Sequence, residues 1–110
     1  MVTENNYYWD YSAYSDILHV QKKGKHTKGS AEIGDFCICF GEKDEVVGIE
    51  IEWASEFFSQ LDITKEQLTK ITDAELIIDK RNPQAHIIFL SLKFPTLTKK
   101  IAIPMQVLTA

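Results

Sequence analysis

Hydrophobic and polar residues alternate most cleanly in VGIEIEW, where Val47, Ile49, Ile51 and Trp53 fall on one side and Gly48, Glu50 and Glu52 on the other. A repeat of two along the chain is that of a strand with one core face. Just upstream, FCICF is apolar on both sides, with Phe36, Ile38 and Phe40 on one and Cys37 and Cys39 on the other. Such a strand belongs in a sheet centre or under cover on both faces. The polar GEKDE between the two runs predicts an antiparallel hairpin over residues 36–52. Its register stays open, because a slip of one residue exchanges the face that meets Ile49 and Ile51.

The same alternation recurs on either side. An aromatic stretch from Asn5 to Asp10, a turn through residues 11–15, and DILHVQ from Asp16 predict a first hairpin, with Ile17, His19 and Gln21 on one face and Leu18 and Val20 on the other. Residues 22–30, KKGKHTKGS, carry no apolar anchor and are expected to form a mobile basic loop. Residues 31–33 add a short extended piece. After Trp53 the period changes. Ser55 is placed to cap a short helix through Phe57, Phe58 and Leu61, and TKEQ at Thr64 is a capping box opening a second helix that turns Leu68 and Ile71 inward. Strand alternation then returns in AELIIDK and AHIIFLSLKF, a second hairpin around Asn82 and Pro83. Pro95 ends it or sets it at an edge, and residues 99–103 form a last strand stopped by Pro104. The class is α+β: antiparallel sheet from two strand-rich halves, joined by one or two short helices in a single domain.

These stretches carry a family resemblance. The charged turn, VVGIEI and the following Ala-Ser, together with Tyr8, Asp10, Asp16, Ile17, Leu18 and Val20, make residues 7–60 resemble domain of unknown function family 2283. The chain departs from that pattern at Asp44, where glycine is usual, and at Cys39, where an acid is common. The resemblance implies a small prokaryotic β-rich protein of unestablished activity, with some relatives suspected of being antitoxin-like partners.

Composition narrows the functions. A chain of 110 residues that is 45% hydrophobic and 25% charged can bury a core without disulfides or a structural metal. The net charge of −4 argues against broad nucleic-acid binding, which needs a basic footprint. No apolar run nears the ~20 residues of a membrane span, and MVTENNYYWD lacks the basic start and apolar core of a secretory signal, so the expected compartment is the cytoplasm. The basic loop, with Lys22, Lys23, Lys25, His26 and Lys28, could touch phosphate or RNA; a solvated hairpin tip is the preferred reading.

Candidate chemistry is sparse. Cys37 and Cys39 lie two apart on one strand, ~6.5 Å between Cα atoms, badly aimed for a disulfide and read as reduced core thiols. Zinc would need further ligands from His19, His26 or His86 at no recognisable spacing, so no metal and no cofactor is assigned. His19 and His86 could act as general bases beside Glu50, Asp10 or Asp16, and Glu50 would need a donor if its face were buried. Asp10 and Asp16 otherwise stabilise the first turn.

Two functions follow. The first is a non-enzymatic interaction module, self-associating as a dimer, because two modest helices cannot shelter so much apolar strand surface. The other face then requires a second sheet or another subunit. Tyr7, Tyr8, Trp9, Phe36, Phe40 and Trp53 are its candidate interface, and Glu50, Glu52 and Glu56 would meet a small basic protein partner. The second is a small enzyme or ligand-binding domain with a site of His86, Glu50 and the first turn.

Overall fold

The computed structural model describes residues 6–103 and contains eight strands and two short helices. Strands β1 (Tyr7–Ser12), β2 (Ile17–Lys22), β3 (Gly29–Ile33), β4 (Phe36–Phe40) and β5 (Val46–Ile51) form one antiparallel sheet in the order β1-β2-β5-β4-β3. Helices α1 (Ala54–Ser59) and α2 (Lys65–Leu68) follow, and β6 (Asp73–Asp79), β7 (Ile87–Lys93) and β8 (Thr98–Ile103) form a second antiparallel sheet in sequence order. The α+β expectation thus takes the form of two sheets, one from each half, with little helix between them. Asn5 and Pro104, predicted to start the first strand and stop the last, lie outside the described residues.

Register explains which side chains became core. Leu18 stands opposite Ile51, Val20 opposite Ile49, and Ile38 opposite Ile49 from the other side. All five are fully buried. Each such side chain contributes about 1.5–3 kcal/mol on burial. The same cluster takes in Phe58 and Leu68 from the helices and Ala74, Leu76, Ile88, Leu90, Leu92 and Ile101 from the second sheet. The cover demanded by the apolar strands is therefore the chain's own second sheet together with the helices. Tyr7 Oη donates to the Leu76 carbonyl at 3.1 Å, tying β1 to β6.

This assignment redistributes the aromatic residues of the predicted interface. Trp9 pairs with Val20 and Tyr11 with Leu18, so the odd positions of β1 point to the core side. Tyr7, Trp9, Phe36 and Phe40 all pack against the core cluster, and Phe36 meets Phe57 of α1 edge-on, at 5.1 Å and 88°. Only Tyr8 and Trp53 of the six expose large surfaces, 45% and 56%.

Two local expectations change. Thr64 and Gln67 do form the reciprocal capping box of α2, but Ser55 does not cap α1. Trp53 holds the N-cap position in the left-handed region (φ 53°), a costly conformation for a bulky residue. The cap itself comes from Asp16, distant in sequence: its carbonyl accepts from Ala54 N at 3.0 Å, and its carboxylate accepts from Ser55 N at 3.0 Å and Ser55 Oγ at 2.7 Å. The basic loop is also fastened rather than free. Lys28 N donates to the Phe40 carbonyl at 2.7 Å, and Gln21 Nε2 to the Lys25 carbonyl at 3.2 Å.

Candidate interaction face

The five-stranded sheet has a second face, opposite the core, which neither the helices nor the second sheet covers. Because alternate residues of a strand point to opposite sides, its composition follows from the register. Asp10 stands opposite His19, His19 opposite Glu50, Glu50 opposite Cys37, and Cys37 opposite Glu32. One transverse row therefore reads Asp10, His19, Glu50, Cys37, Glu32 across all five strands. Neighbours in such a row have Cβ atoms ~4.5–5.5 Å apart. The three carboxylates occupy alternate strands, so none lies directly opposite another and mutual repulsion is moderated.

The adjacent row is Tyr8, Gln21, Gly48, Cys39 and Ser30. Gln21 lies flat across Gly48: a Cβ there would overlap Gln21 Oε1 and stand 3.0 Å from the Val20 carbonyl oxygen. Glycine is what lets this side chain reach the loop. The loop closes the end of the face around Cys39, which is buried, while Cys37 is only half-buried. Both thiols sit opposite the core rather than on it, because the register pairs Cys39 with Gly48 and Cys37 with Glu50. Burial, together with the neighbouring Cys37, pushes the Cys39 thiol up.

His19, Glu50 and Cys37 are half-buried, and Asp10 and Glu32 are exposed. The Tyr8 ring meets His19 edge-on at 5.8 Å. Among the described residues, Asp10, Glu32 and Glu50 form no ion pair, whereas Glu45, Glu66, Asp73 and Asp79 each hold a lysine or arginine. No lysine or arginine occupies a strand position on this face. Among the described residues, no three His, Cys, Asp or Glu side chains converge to hold a metal ion.

The other predicted site residues lie apart. Asp16 is buried in the β1–β2 turn, where its carboxylate also accepts from Tyr11 Oη at 2.6 Å. Burial opposes its ionisation, but the bonds from Tyr11 and Ser55 and the charge of Lys65 outweigh that and hold its carboxyl below the ordinary value. Its partner Tyr11 is pushed up, by burial first and then by Asp16. His86 precedes β7, in the other sheet, so the row supplies His19 where the sequence also offered His86. Cys37 and Glu32 join the row unannounced. Their strand parity was readable; the register that places them beside Glu50 was not.

The basic loop borders a cavity of about 210 Å³ lined by Lys25, His26, Lys28, Glu42 and Glu45. Glu45 sits 3.6 Å from both Lys22 and Lys25, so one internal carboxylate already offsets part of the charge of the basic loop offered for phosphate. Among the described residues no helix is long and apolar enough to cross a membrane. Comparison with protein-family models, curated proteins and solved structures finds no match for this chain.

Proposed function

We propose that the protein is a non-enzymatic interaction module that docks a basic protein segment on the uncovered face of its five-stranded sheet. The observation that carries this is the row of Asp10, Glu50 and Glu32, carboxylates without an ion pair among the described residues, on a face whose strand positions hold no lysine or arginine. An arginine-bearing segment would meet one half-buried and two exposed carboxylates spaced by ~10 Å, two strand separations. Tyr8, exposed on the same face beside His19, offers an aromatic anchor. A second copy of the chain suits this face poorly, since face-to-face pairing would set acid rows against each other.

A second reading keeps a ligand-binding or catalytic role for His19, which the register places between Asp10 and Glu50. A carboxylate turned onto one ring nitrogen would orient such an imidazole as a general base.

Calorimetric titration with an arginine-rich peptide of about fifteen residues tests the first reading, with a charge-neutral peptide as control. Glu50→Lys should weaken binding about tenfold, while Glu66→Lys, on the exposed surface of α2, should change it less than twofold. Equal losses from both variants would reduce the effect to net charge and refute the assigned face.

A further inference from the structure

The second sheet also has an outer face, and its chemistry differs. Ile77 stands opposite Phe89 and Phe89 opposite Ala102, making an apolar row across all three strands, with exposed Ile87 two residues before Phe89. The next row reads Glu75, Ser91, Lys100, an acid on one edge strand and a base on the other at the same height. We infer that this face pairs with a second copy of the chain about a twofold axis running along β7.

Such an axis carries β6 of one protomer over β8 of its partner. Glu75 then faces the partner subunit's Lys100, Ile77 faces the partner subunit's Ala102, and Phe89 faces the partner subunit's Phe89. Opposite charges meet, and a large side chain meets a small one. That is the self-complementarity an isologous contact requires. Aligned sheets pack in this way with strands within about 30° of each other. Lys100 Nζ rests 4.8 Å over the Phe89 ring in the single chain, with Asp79 close enough to feel its charge, so its ammonium is already at the patch and would exchange these contacts for the facing carboxylate. Lys93, which would approach its own symmetry mate, is held 3.9 Å from Asp73 of the same chain.

Three strands spaced ~4.8 Å and about six residues long present roughly 300 Å² per copy, well under the ~800 Å² per partner of a standard interface. The dimer is accordingly weak and reversible, which suits a module whose other sheet face docks a different partner. Sedimentation equilibrium between about 10 µM and about 1 mM reads it out. The mass should rise toward that of a dimer across this range, and Ile77→Asp should abolish the rise while circular dichroism shows the fold retained. Glu75→Lys and Lys100→Glu should each weaken association about tenfold, and the double reversal should restore it to within about threefold. A chain that stays monomeric at the top concentration, a dimer that survives Ile77→Asp by pairing through an edge strand, or a double reversal that fails to recover overturns the inference. None of these outcomes bears on the acidic face, which lies on the other sheet.

Discussion

Replacing Asp16 should be among the most damaging single changes outside the apolar core. Its carboxylate accepts three hydrogen bonds, from Tyr11 Oη at 2.6 Å, Ser55 Oγ at 2.7 Å and Ser55 N at 3.0 Å. Bonds to a charged acceptor contribute roughly 1.5–3 kcal/mol each in isolation, and a cap about 1 kcal/mol, but the three share one group and do not add. Asp16→Ala should therefore cost about 3 kcal/mol. At ~4–8 °C per kcal/mol for a chain near this size, the midpoint of thermal unfolding falls by about 15 °C. Asp16→Asn keeps the shape and tolerates the left-handed backbone at φ 58°, losing mainly charge, and should cost about 1.5 kcal/mol. The native carboxyl titrates below the ordinary carboxylate value, so its contribution is complete above the unfolded pKa and is lost as pH falls through the native one. Urea unfolding from pH 7 to pH 2 should accordingly show the wild-type and Asp16→Asn curves converging in acid. Loss of less than about 0.5 kcal/mol in Asp16→Ala at pH 7, or a gap to Asp16→Asn that does not close in acid, would refute the assignment of Asp16 as the ionised cap.

Three further outcomes follow from the same geometry. Gly48→Ala should destabilise by about 1–3 kcal/mol in chemical denaturation, because the new methyl displaces Gln21 and crowds the Val20 carbonyl. Cys37 should be alkylated well before Cys39 in a timed mass-spectrometric assay at pH 8, since Cys39 is buried with a raised pKa. Asp79, gripped by Arg81 through Nε at 3.0 Å and Nη2 at 2.7 Å, should titrate at about 2 by carboxyl NMR, returning toward the ordinary range in Arg81→Ala.

Much of the fold could be read from local pattern. The alternation in VGIEI, the Thr64–Gln67 capping box and the hairpin around residues 80–86 are short-range signals, and each lies where the pattern placed it, whereas Trp53, which the same alternation sets on the core face, leaves the strand and is exposed. The misreadings involve distance. Ser55 was the natural local cap, yet the capping carboxylate comes from 39 residues upstream. The apolar surplus of β2, β4 and β5 was legible; that a second sheet from the same chain absorbs it required knowing that Ala74, Leu76 and Leu90 face the same cluster. Tyr7, Trp9 and Tyr11 of β1 point inward only because Trp9 pairs with Val20, and the same register turns Tyr8 outward. An irregularity between Cys39 and Phe40 sets the β4–β5 register, and with it the row that joins Glu50 to Cys37. Asp10, His19 and Glu50 stand out by residue type and by their places in turn and strand patterns; their alignment is a property of strand pairing.

The most direct test of the acidic docking face is a map of amide shifts in isotopically labelled protein titrated with the arginine-rich peptide. The predicted result is a footprint confined to Asp10, His19, Glu50, Cys37 and Glu32 with the neighbouring Tyr8, reversed by salt and absent in Glu50→Lys. A footprint centred on the Glu42–Asp44 turn, on α2, or spread evenly over every exposed carboxylate would contradict it.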